Sequence, residues 1–180
     1  VRKDDFSLLL NCAKNDPQQE MNCIKALVSR NVSGIIVISP NTANIRENFY
    51  RELVKRIPLV FINGYHLIRG VSYVANDEKL GSRQALDYLY SLNHRRIMFV
   101  RGTNSDSYSI KEEEYRQWMK EKKLVANSCV INIGEGNSID TVDSTMNKLL
   151  TELPLYEPTA IFCCNDLMGV GAINACKRLE

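Results

Sequence analysis

Short runs of consecutive apolar residues alternate along the chain with longer segments whose apolar positions recur every three or four residues. The first kind of pattern predicts strands and the second amphipathic helices. The run FSLLL at 6–10 predicts a buried strand. Asp16-Pro17 then opens a helix, with Met21, Ile24, Leu27 and Val28 on one face and proline in the first turn, where its missing N–H costs nothing. Residues 34–38 (GIIVI) and 59–62 (LVFI) predict strands without polar alternation, the pattern expected where both faces of a sheet are covered. A helix is expected between them at 45–56, and a short strand at 72–75. Further on, helices are expected at 77–92, 110–122, 141–152 and 167–179, with strands at 97–100, 128–133 and 160–163.

This order makes at least six βα units joined by short loops, so the fold class is α/β with parallel sheets and right-handed crossovers. Residues 63–71 break the rhythm: they hold Gly64 and Gly70 and no helical periodicity. The chain is therefore expected to form a first lobe over 1–62, a crossover at 63–72 and a second lobe over 73–180. No internal repeat stands out.

Composition narrows the class. Of 180 residues, 44% are hydrophobic and 24% charged, which excludes a disordered chain. The longest apolar runs are far shorter than the roughly 20 residues a membrane span needs. The balance of 23 basic and 21 acidic side chains gives no reason to expect a nucleic-acid surface in this segment. Six cysteines, at 12, 23, 129, 163, 164 and 176, include no C-x-x-C pair, and only His66 and His94 could join them. A zinc site would need paired ligands at short spacing, so no metal is expected. Cys12, Cys23, Cys163 and Cys164 lie in or beside apolar stretches, where a free thiol acts as a small hydrophobe. Free thiols of this kind point to a reducing, cytoplasmic compartment.

No motif for phosphate cradling, nucleophilic hydrolysis or zinc-dependent proteolysis occurs. His94 sits at a helix-to-strand turn and Glu112, Glu113 and Glu114 form a helical carboxylate run, so an enzyme lacks its constellation, and no cofactor is expected. Binding fits better, because ligands of open α/β sheets sit beyond the C-terminal ends of the strands. Polar residues gather there: Ser39 and Asn41, Asn63, Asp77, residues 105–109, then Asn165 and Asp166. Such groups suit a hydroxyl-rich small molecule. They could equally cap the helices that follow, as Asp166 is placed to do; no helix closely follows Asn63.

The run VANDEKLG at 74–81, followed by ALDYL at 85–89 and NHRRI at 93–97, resembles the effector-binding core of lactose/galactose-repressor-type transcription regulators. PTAIFCCND at 158–166 with Gly169 and Gly171, NDP at 15–17 and VSGII at 32–36 carry the resemblance through nearly the whole chain. It implies a two-lobed, periplasmic-binding-protein-like fold that holds a small polar effector, a sugar or sugar derivative, in an interlobe cleft. It also implies a homodimer and a DNA-binding helix-turn-helix that is not in this chain, which reads as an internal piece truncated at both ends. A periplasmic sugar-binding protein of a transport system shares the fold and is the alternative.

Carried over by position, the resemblance implies effector contacts at Asn63, Asp77, Ser107, Lys111, Asn137 and Asn165. Asn63 stands where the family often has Asp, and Lys111 where it usually has Arg, four residues after Ser107. Lysine keeps the charge and loses the planar fork. Asn137 stands in the place of a stacking aromatic, and Glu114 and Val142 where glycines are common. A lysine point charge suits a carboxylate or phosphate, so an effector carrying negative charge is favoured, with a neutral sugar as the open alternative.

Overall fold

In the computed structural model, which describes residues 6–103, 105–134 and 140–179, the chain divides into two units, Val1–Asn76 and Asp77–Glu180. Each has its own three-stranded sheet, and every strand pair is parallel.

In the first unit the Asp16 side chain accepts from Gln19 N at 2.6 Å and starts α1 (Pro17–Ser29) at the expected proline. The sheet runs β1 (Ile35–Ile38), β2 (Leu59–Ile62), β3 (Ser72–Val74) in spatial order. Ile24, Ile35, Val37, Tyr50, Leu59 and Phe61 form its core, and the Tyr50, Phe61 and Tyr73 rings meet edge to face. At the centre of the helical layer Glu20, 8% exposed, accepts from Tyr50 Oη at 2.6 Å, Asn44 Nδ2 at 2.7 Å and Asn41 N at 3.1 Å. Burial, with the Glu20 carboxylate beside it, pushes the Tyr50 hydroxyl far above its ordinary range.

Four expectations change here. Residues 6–10 form no strand among the described residues, and Leu8 and Leu10 are 76% and 88% exposed. Apolar content predicts a strand only where a partner edge completes the ladder. β1 alternates, with Ile35 and Val37 buried and Ile36 and Ile38 exposed, so only one of its faces is covered. The helix expected over 45–56 is two short ones, α2 (Thr42–Arg46) and α3 (Phe49–Leu53). Asn48 parts them at φ +63°, a left-handed conformation that asparagine tolerates. Finally, residues 63–72 do not lead out of the first unit: Ile68 is buried in its core, and β3 pairs with β2 through Val60↔Ser72. Residues 73–76, expected in the second lobe, thus belong to the first.

In the second unit the sheet order is β5 (Cys129–Asn132), β4 (Ile97–Arg101), β6 (Ala160–Cys163). Central β4 is buried at Ile97, Met98, Phe99 and Val100, as its unbroken apolar run requires when both faces are covered. Phe99 stacks on Tyr115 and meets Phe162 edge to face. Tyr115 Oη donates to Ile97 O at 2.7 Å and accepts from Cys129 N at 3.0 Å, pinning the start of two strands. The helices are α4 (Glu78–Ser91), α5 (Asp106–Glu121), α6 (Thr141–Tyr156) and α7 (Asp166–Leu179). α5 begins four residues before the expected 110, because Ser105 is extended and the turn after it is already helical. α6 and α7 pack closely at Gly171.

All six thiols are free. Burial pushes Cys129 up to about 11 and Cys163 and Cys164 up to about 12, so these are inert packing groups. Cys12, expected against apolar neighbours, is exposed, as is Cys176. At about pH 8 an aromatic disulfide reagent should label Cys12 and Cys176 in the native protein and reach Cys129, Cys163 and Cys164 only after denaturation. Mass mapping of the labelled peptides checks this.

Candidate functional site

β4 and β6 are neighbours in the second sheet, so the segments leaving their C-terminal ends enter α5 and α7 side by side. Asn165 follows β6. Its Oδ1 accepts from Met168 N at 2.9 Å, which makes Asn165, rather than Asp166, the cap of α7. Its Nδ2 donates to Tyr108 Oη at 2.9 Å. Tyr108 lies in the first turn of α5 and is 4% exposed.

Ser107 and Lys111 stand four residues apart on α5 and so share a face. Lys111 Nζ donates to Ser107 Oγ at 2.7 Å and pairs with Glu78 Oε2 at 2.8 Å. Ser107 Oγ in turn donates to Glu78 Oε1 at 2.7 Å, closing a ring of three side chains. Glu78 opens α4 directly after Asp77, whose side chain caps that helix by accepting from Leu80 N at 2.9 Å.

The charges here come in pairs. Arg101, at the end of β4, bonds Glu112 on α5. Burial raises the Glu112 carboxyl, but hydrogen bonds from Arg101 and Arg116 outweigh it and hold the group below its usual value. The Cys164 thiol, raised by burial, feels the opposing pull of Lys111 and Arg101 and the push of Glu78. Both ion pairs thus lie within electrostatic reach of the end of β6, beside Asn165. Among the described residues no group of three or more His, Cys, Asp or Glu could hold a metal ion, and no helix is long and apolar enough to cross a membrane.

Of the six residues singled out from the sequence, the second unit brings together Ser107 and Lys111, with Asn165 joined to the same helix through Tyr108. Asp77 sits next to this group as a cap. Asn63 belongs to the first unit, where it follows β2 at φ +56° and its N–H donates to Val74 O at 2.9 Å. Asn137 lies outside the described residues. Tyr108 and Glu78 are the members the sequence did not reveal. Each is the chain neighbour of a residue that was named, and its role depends on a contact 57 or 29 residues away.

The profile of the periplasmic binding protein-like domain matches residues 86–180, over half of the chain. The chain belongs to this family. Its motifs at 74–81, 85–89, 93–97 and 158–166 resemble those of lactose/galactose-repressor-type regulators. A curated relative, the HTH-type transcriptional repressor PurR of Haemophilus influenzae (strain PittEE), is 28% identical over 178 residues, 96% of this chain and 50% of that protein. The chain therefore spans about half the length of the curated relatives it matches. Among solved structures, an uncharacterized protein from Actinobacillus succinogenes superposes with a TM-score of 0.85 at 20% identity, covering 99% of this chain and 64% of that one. A LacI family transcriptional regulator from Lactobacillus casei with bound glucose gives 0.80 at 22% identity, covering 98% and 66%. These two share the fold with the family member described here.

Proposed function

We propose that this chain is the effector-sensing domain of a bacterial transcription regulator that binds a small polar molecule, a sugar or sugar derivative. The observation that carries the proposal is the gathering of Asn165, Tyr108, Ser107, Lys111 and Glu78 where β4 and β6 end, the position at which open parallel sheets take ligands. An asparagine offers both donor and acceptor, and adjacent hydroxyls need both. The glucose recorded with the Lactobacillus casei regulator supports the sugar class. Asn63 and Asn137 rest on the family resemblance alone.

The relative's designation as an HTH-type repressor supports a regulator over a periplasmic transport protein. On this reading the whole protein works in the cytoplasm as a homodimer and reaches duplex DNA through a helix-turn-helix segment. Effector binding then shifts the balance between two conformations, which requires different affinity for each.

A thermal-shift screen of the full-length protein against sugars, sugar phosphates and nucleosides tests this. A true ligand at 100 times its dissociation constant adds about 2.7 kcal/mol. Asn165→Asp is the sharper variant than Asn165→Ala, because it keeps the acceptor that caps α7 and exchanges the amide donor for a charged acceptor oxygen. It should weaken the identified effector by about 1–3 kcal/mol while the unfolding midpoint stays close to wild type. Unchanged affinity in calorimetry would remove Asn165 from the site.

A further inference from the structure

We infer that Glu78 makes the site select neutral over anionic effectors, by neutralising the one cation, Lys111, that the family resemblance assigns to ligand contact. The inference rests on the proposed effector site and adds its charge preference. Lysine in place of arginine suggested a point charge waiting for a carboxylate or phosphate, but the geometry says otherwise. Lys111 and Glu78 are paired at 2.8 Å with side chains only 16% and 14% exposed, so solvent screens the pair weakly. Two of the three ammonium donors are spent, one on Glu78 Oε2 and one on Ser107 Oγ. Ser107 locks the arrangement from the other side by giving its own proton to Glu78 Oε1.

An anionic group brought up to Lys111 would therefore meet a carboxylate within a few ångströms, and attraction and repulsion would largely cancel. It would also have to displace a buried hydrogen bond and leave Glu78 with less compensation. Neutral hydroxyls face neither cost, since they bring no charge up to the carboxylate and can accept from the ammonium without displacing the pair. The neighbouring cation follows the same rule: Arg101 is bonded to Glu112.

The test is calorimetry on the full-length protein with matched probes: glucose and glucose 6-phosphate, ribose and ribose 5-phosphate, inosine and inosine monophosphate. In the wild type the neutral member of a binding pair should be at least about tenfold tighter, a difference of about 1.4 kcal/mol. Glu78→Gln leaves Lys111 uncompensated and should shift that ratio about tenfold or more towards the phosphorylated member. Lys111→Gln removes the cation from the pair and should shift it the opposite way, so the charge argument survives a folding failure of either variant. Tighter wild-type binding of a phosphorylated probe, or a ratio that neither variant moves, overturns the inference while leaving the effector site in place. No binding by any probe overturns the effector-site proposal itself, and this inference with it.

Discussion

Gly171→Ala should destabilise the second unit by about 2–3 kcal/mol, although alanine is by nature the better helix former by about 1 kcal/mol. Gly171 is where α7 touches α6: an added Cβ would come within 2.5 Å of Val142 O and 2.6 Å of Thr145 Cβ. Neither atom can move aside. One is helix backbone, and the other belongs to a fully buried side chain whose Oγ1 is tied to Thr141 O at 2.7 Å. The helices must separate, which strips contacts from Met168, Ala172 and Met146 in the core. At Gly169, two residues earlier on the same helix, an added Cβ would meet nothing within 4 Å. Gly169→Ala should therefore stabilise the protein by about 0.5–1 kcal/mol through helix propensity and a less flexible unfolded chain. Urea denaturation of the two variants should give opposite signs. Equal, small changes would mean that α6 and α7 are not held at the separation described.

What could be foreseen of this molecule follows where local and tertiary demands agree. β2, β4 and β6 are apolar runs that find partners in register, and Asp16 and Asp77 are caps whose acceptors reach the third residue on. Residues 6–10 and the outward faces of Ile36 and Ile38 went wrong because an apolar run reports an appetite for burial, not the presence of a covering partner. The break at Asn48 was hidden because the periodicity of 45–56 continues through it; only the backbone angle of one residue interrupts the helix. At the candidate site, Asn165 and Ser107 could be named in advance because they fall at strand ends, and Lys111 only through the family resemblance. Glu78 and Tyr108 could not: a carboxylate and a phenol carry no local mark of the distant side chain they will bond. The same gap hid the Lys111–Glu78 pair, which Lys111 alone in the sequence does not announce.

Glu20→Ala should cost the first unit about 3–5 kcal/mol, the range for removing one partner from a buried, hydrogen-bonded charge network. Its carboxylate accepts from three groups on two neighbouring helices. Asn41 N lies at the start of α2, Asn44 Nδ2 within it, and Tyr50 Oη on α3 beside Phe61. Without the carboxylate, a backbone donor, an amide and a fully buried phenol lose their acceptor together, and each orphaned group costs about 1–3 kcal/mol if water does not reach it. Glu20→Gln keeps the shape and one oxygen, but turns an N–H₂ towards one of the donors, so about 1–2 kcal/mol is expected. Tyr50→Phe removes a single donor and leaves the carboxylate held by Asn41 and Asn44, for a loss of about 1 kcal/mol. The double variant Glu20→Ala/Tyr50→Phe should then be more stable than the two separate losses would sum to, because the phenol orphaned in the first variant is gone in the second. Additive losses in the denaturation cycle would show that Tyr50 finds another acceptor once Glu20 is removed, and that Glu20 is not what joins α1 to α2 and α3.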